Sequence, residues 1–315
     1  MRIDPGHHTL GKNIKIVYLI LAHNSPAHLK RLVMALATPD CACLIHIDAR
    51  ADLALFGKIA APHVSLTRER AAVHWGDFSQ VAATRILMRE ALASPARYDR
   101  FVLLSGVDYP LHPPGYLSAF FTRHARTEFI DLAKMPCAAS SKPLSRLTDY
   151  QPGPARTALA ALQRRLRRRF GIAPRQRDYR QALGGLQPYA GATWWALTRD
   201  ACEYIETFIK DHAQFVEFFR NTVCPDEMFI HTILGNSPFS ADVQRDLTYA
   251  DWSAQGASPA SLTLDHIDLF HHGRIFPDGG EMLFARKFSD DRAFVTDALA
   301  LFLSEQPIVQ SVSMQ

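Results

Sequence analysis

Five cysteines are all that this 315-residue chain contains, and no C-x-x-C pair is among them. Their number is odd, and Cys41 and Cys43 stand at alternate positions of an apolar stretch. That usage excludes a disulfide framework and points to a reducing compartment. Long apolar runs are also missing. The N-terminus has none of signal-peptide length, and residues 16–22 are far too short to span a bilayer, so a cytoplasmic chain is expected. No G-x-G-x-x-G follows the first apolar stretch and no Walker A string occurs, which argues against a dinucleotide dehydrogenase or a P-loop NTPase. H-E-x-x-H is absent as well. Neither sign of charge predominates, and a net +4 gives no reason to expect nucleic acid.

What remains is an ordinary globular composition, 48% hydrophobic and 21% charged, able to bury a large core. Residues 1–13 lack periodicity and read as a loose arm. From 14 onward, short apolar runs alternate with helical spacing. Strands are expected at 14–21, 44–48, 64–66 and 101–104, with helices from Ser25-Pro26, near 53–60 and up to about Leu92. This alternation implies an α/β fold whose first half (14–136) is Rossmann-like, with a parallel sheet covered by helices. Residues 137–186 form an irregular insert carrying Pro152-Gly-Pro154 and the basic run 164–169. That run suits anionic lipid or phosphate, or the solvated face of a short helix. A further strand is expected at 128–132 ahead of the insert, and the second half (187–315) returns with strands at 193–198 and 247–252. Helices are expected at 199–209, 214–220, 224–234 and 291–303.

Candidate chemistry sits where strands stop. Asp48 and Asp108 follow different strands at what should be one sheet edge, where open α/β sheets bind ligands. Each could equally serve a turn or a helix cap. Glu227, in the first turn of the helix expected from Cys224-Pro225, could be structural, and His231 lies one turn on. E-x-x-x-H is weak as a zinc-hydrolase signal.

Seven strings together are similar to the core-2/I-branching β-1,6-N-acetylglucosaminyltransferase and peptide O-xylosyltransferase family. They are IHID (45–48), VHWGDFSQV (73–81), FVLLSGVDYP (101–110), WWALTR (194–199), CPDEMFIHTILGNSP (224–238), YADW (249–252) and LFARKF (283–288). The match is collinear from about residue 14 to 290. The resemblance implies a GT-A fold with a mixed central sheet and a single domain over 14–315. It implies inverting transfer of GlcNAc or xylose from a UDP-sugar to a glycan hydroxyl, without metal or other cofactor. Asp108 accordingly stands without a second acid two residues away. By the same resemblance Asp48 holds the uridine, Glu227 is the catalytic base, Lys287 meets the diphosphate and Trp252 borders the acceptor, with Asp108 on the donor side and Trp194 on the acceptor side. The upstream arginine of core-2 enzymes falls near Leu264, so Arg274 or Arg286 is expected to replace it. Thr193 stands where xylosyltransferases place an acid. The expected acceptor is a glycan or lipid-linked glycan at the inner membrane face, with residues Arg164–Arg169 as a peripheral membrane contact. Two other classes compete. A metal hydrolase would use His231, His271 or His272, and an inactive carbohydrate- or nucleic-acid-binding module would use the arginine run and the tryptophans.

Overall fold

The computed structural model describes residues 14–137, 142–150, 162, 165, 166, 169–171 and 174–305. The expected N-terminal arm and half of the 164–169 run lie outside them. Twelve strands are described: β1 Ile16–Ala22, β2 Cys41–Ile47, β3 Val64–Leu66, β4 Arg100–Ser105, β5 Asp108–Pro110, β6 Glu128–Phe129, β7 Ala133–Lys134, β8 Tyr189–Ala190, β9 Trp195–Thr198, β10 Val243–Gln244, β11 Thr248–Ala250 and β12 Phe284–Arg286. A seven-stranded sheet runs in the order β10-β6-β9-β4-β1-β2-β3, and a small one in the order β11-β12-β5. β1 is parallel to β2 and β4, whereas β9 is antiparallel to β4. The result is the expected mixed α/β sheet with a Rossmann-like first half.

Period-2 alternation between two covered faces explains why β1 and positions 101–104 of β4 are apolar. Val17, Leu19, Phe101 and Leu103 face one core, closed by helices 78–92, 199–211, 213–220 and 229–235. Ile16, Tyr18, Ile20, Val102 and Leu104 face the other, closed by helices 26–35 and 114–123. With both faces buried, the functional groups are left to the strand ends. Strand order reverses direction between β1 and β4, and at that switch point the two chains nearly touch. A Cβ on Gly106 would stand 2.8 Å from that of Ala22, so only glycine lets the crevice form there.

Three expected elements are shorter than their apolar patterns. The strand at 128–132 ends at Phe129, and that at 247–252 covers Thr248–Ala250. The helix expected over 224–234 is two pieces: a 3-10 turn at Pro225–Glu227 and a helix at Phe229–Gly235, separated by Met228 at φ −142°. Cys224, at φ 47°, aims this turn, and its N–H donates to Gly76 O at 2.9 Å.

Asp131 and Asp246 follow the parallel neighbours β6 and β10, and so meet at one end of the sheet. Asp246 N donates to Asp131 Oδ1 at 3.1 Å. Burial, then the Asp131 charge, pushes the Asp246 carboxyl from 3.8 up to about 8. A raised folded-state value means that this group's contribution to stability is complete below about pH 3.8 and is lost as pH rises through about 8. Asn keeps a donor toward Asp131 and carries no charge. Asp246→Asn is therefore expected to gain stability over the parent as pH rises, the gain vanishing toward pH 4. Thermal melts across this range check it, and parallel curves would refute it.

Candidate active site

Asp48 closes β2 with its side chain almost fully enclosed. Its Oδ2 accepts from Arg50 Nη2 at 2.8 Å, and its Oδ1 accepts from the Arg50 amide, also at 2.8 Å, and from Val73 N at 3.4 Å. Burial opposes ionisation of Asp48, but the Arg50 and Val73 hydrogen bonds outweigh it and hold the carboxyl below its ordinary value. The Asp48–Arg50 pair therefore presents a fixed charged surface. His23, at the neighbouring end of β1, is open to solvent yet close enough to feel the whole group. Partial enclosure lowers its pKa first, Asp48 opposes, and Arg50, Lys287 and Arg286 push the same way as burial.

Asp108 opens β5 instead of standing in a loop, and it has no exposed surface. Its Oδ2 accepts from Ser105 N at 2.9 Å, and its Oδ1 lies 3.2 Å from Arg286 Nε. The pairing follows from register, because antiparallel β5 and β12 set Asp108 directly opposite Arg286. Burial raises the Asp108 carboxyl to about 6 against the pull of Arg286. Asp108, expected on the donor side, is thus enclosed and engaged by Ser105 and Arg286.

Arg286 also lies over Trp194, 4.2 Å from the ring centroid. Trp194, expected on the acceptor side, is 8% exposed and supports Arg286. Lys287 is pinned on both sides. Its carbonyl accepts from Leu262 N at 2.9 Å, and the next amide, Phe288 N, donates to Val107 O at 2.8 Å. Trp252 leaves β11, the parallel partner of β12, and is 54% exposed. Arg274, the other arginine expected at the diphosphate, is engaged by the protein itself. Its guanidinium donates to Leu111 O at 2.6 Å and neighbours Tyr116 and Glu281, leaving Arg286 as the cation beside Lys287.

The turn carrying Glu227 is tied to these groups through its backbone and its neighbour. Gly191 N donates to Glu227 O at 3.0 Å, and a Cβ at Gly191 would strike Asp131 O at 2.1 Å. Asp226 Oδ2 accepts from Thr193 Oγ1 at 2.8 Å and from Gln80 Nε2 at 3.1 Å. Burial first, and then Glu227, raises Asp226 to about 6. Thr193 is next to Trp194, so one chain of contacts runs Asp108–Arg286–Trp194, then through Thr193 to Asp226 and Glu227. Glu227 itself closes a 3-10 turn and is not a first-turn helix acid. Its Oε2 is met by Arg146 and, at 3.7 Å, by Lys142.

Sequence reasoning missed Arg50, His23, Lys142 and Arg146. Arg50 could have been found as a basic residue two after a strand-end acid. Lys142 and Arg146 fall in the irregular insert, where no pattern singles them out. His231 is fully buried with Nε2 2.8 Å from Ala192 O, and among the described residues no group of three or more His, Cys, Asp or Glu could hold a metal.

The model of the Core-2/I-Branching enzyme family matches residues 16–273. The chain belongs to this family. That range takes in Asp48, Asp108, Trp194, Glu227 and Trp252 but stops before Arg274, Arg286 and Lys287. Xylosyltransferase 2 of Rattus norvegicus is 27% identical over 253 residues, covering 77% of this chain and 27% of the relative. Xylosyltransferase 2 of Mus musculus is 28% identical over the same length and coverage. Xylosyltransferase 1 of Homo sapiens is 26% identical over 249 residues, covering 76% of this chain and 24% of the relative. The chain thus spans about a quarter of the length of these curated relatives.

Proposed function

We infer that the chain is an inverting glycosyltransferase that moves GlcNAc or xylose from a UDP-sugar to a glycan hydroxyl without a metal. One observation carries the reading: Arg286, which Lys287 follows at the end of β12, lies against Trp194, and the neighbouring Thr193 hydrogen-bonds to Asp226 in the turn that presents Glu227. A base on one side and fixed cations on the other are what inverting transfer requires. Glu227 takes the acceptor O–H proton while that oxygen bonds to the anomeric carbon. The opposite bond, from this carbon to the β-phosphate oxygen, breaks, and its electron pair leaves with UDP. Lys287 and Arg286 meet the charge that develops there, work that a metal does elsewhere. Asp48 and Arg50 present hydrogen-bonding groups to the uridine. Trp252 offers an exposed apolar face to the acceptor sugar, whose C–H surface suits an aromatic ring. We place the acceptor, free or lipid-linked, on the cytoplasmic side; among the described residues no helix is long and apolar enough to cross a membrane.

A screen for UDP release from UDP-GlcNAc, UDP-xylose, UDP-glucuronate, UDP-glucose and UDP-galactose, run after exhaustive EDTA treatment, tests the reading. Turnover is expected to be unchanged by added Mn²⁺ or Mg²⁺. An absolute requirement for either ion would overturn metal-free transfer. Binding of a UDP-sugar with no consumption would return the chain to the binding-module class.

A further inference from the structure

The cations facing Glu227 belong to the insert, and one side chain fixes where they stand. Arg177 spreads its guanidinium between two helix ends. Nε donates to Leu147 O at 2.9 Å and Nη2 to Arg146 O at 3.2 Å, at the short helix Ser145–Thr148. Nη1 donates to Phe218 O at 2.8 Å, and Nη2 also donates to Thr222 Oγ1 at 2.7 Å, at the end of helix Ala213–Arg220. Carbonyls in a last helical turn lack intrahelical partners, so one planar cation satisfies both ends at once. The group also lies 3.9 Å from the Phe218 ring centroid, and its own amide donates to Thr148 O at 2.9 Å. Burial lowers the guanidinium to about 10, which leaves it charged at neutral pH. Thr222 is two residues before Cys224, whose left-handed backbone aims the Glu227 turn. Arg177 therefore grips both sides of the Arg146–Glu227 ion pair while touching neither carboxylate nor cleft.

We propose that Arg177 is a positioning residue that holds Arg146 against the Glu227 carboxylate and so fixes that carboxylate's direction. The proposal rests on the reading of Glu227 as the base. Orientation matters because a misplacement of about 1 Å can cost on the order of 100-fold in rate. Two Arg177 variants are informative. Arg177→Gln removes the charge, and Arg177→Lys keeps the charge but cannot make four bonds from one plane. Both are expected to lower kcat by about tenfold, for a smaller displacement, and to leave UDP affinity unchanged, since the donor cations sit on β12.

The decisive comparison is a double-mutant cycle with Arg146→Ala. If Arg177 acts through Arg146, adding Arg177→Gln to Arg146→Ala lowers kcat no further. A residue serving only general stability would give multiplying losses, and that result would overturn the proposal. A second readout needs no activity: native-state trypsin cleavage after Arg146, located by mass spectrometry, should accelerate in both Arg177 variants as the turn opens locally. Unchanged cleavage there would also overturn it. Full turnover by a Glu227→Gln variant would defeat the base assignment alone, and the cleavage rate would still decide whether Arg177 anchors the turn.

Discussion

Glu227→Gln is expected to lower kcat by about 10²–10⁴-fold, the range that a general base supplies, with UDP affinity nearly intact. Gln keeps the side chain's length and can still hydrogen-bond to Arg146, but it cannot take a proton from an acceptor hydroxyl at neutral pH. The stability cost should be modest, because Arg146 and Glu227 are both partly solvated, with side chains 20% and 24% exposed. An acid that merely favours a helix start contributes about 0.3–1 kcal/mol to stability and nothing to turnover. Glu227 is poorly placed for that role, since Met228 breaks the chain between its 3-10 turn and the helix at Phe229. Measuring kcat and melting temperature on one variant separates the roles. Near-normal turnover with a shifted melt would move the base elsewhere, and Asp226, which accepts hydrogen bonds from Thr193 and Gln80, would be the next carboxylate to test.

Much of this arrangement was legible in the chain because sheet periodicity is a local property. Residues 16–22 and 101–104 alternate between two buried faces, so their apolar runs announce strands, and a strand's end is where a polar residue becomes available. Asp48 was found in that way, whereas Glu227 was read from an expected helix start and from the family resemblance. What a local pattern cannot carry is which groups meet. Asp108 read as a loop acid because nothing near it in sequence shows that β12, more than 170 residues later, sets Arg286 opposite it. Nor does anything local show that Trp194 lies against Arg286, which is distant in sequence. Arg274 looked equivalent to Arg286 by composition and proximity, and only the fold sends it toward Leu111. The insert was least legible of all. Lys142, Arg146 and Arg177 act through backbone carbonyls and one carboxylate, contacts that leave no spacing to read.

Lys287→Ala is expected to weaken UDP binding about 10- to 150-fold, the equivalent of roughly 1.5–3 kcal/mol for a charge-assisted contact. The side chain is half-buried beside Arg286. Enclosure lowers its pKa first, Arg286 lowers it further, and the Asp108 charge opposes both. In the free protein, two cations held next to one another therefore repel, and that repulsion is relieved when a diphosphate arrives between them. The substitution should follow the same sign. Removing Lys287 leaves Arg286 with Asp108 and Trp194 still in place, so the ligand-free protein should melt at the parent's temperature or slightly above it. The rise in melting temperature on adding UDP should shrink in step with the lost affinity. Titration calorimetry and thermal shift on the same preparation read both quantities. A surface lysine with no part in the donor site would leave UDP affinity unchanged, whereas a residue needed for folding would lower the ligand-free melt. Only a diphosphate ligand gives weaker binding at undiminished stability, because its energy is realised when the donor is bound and is a cost when it is not.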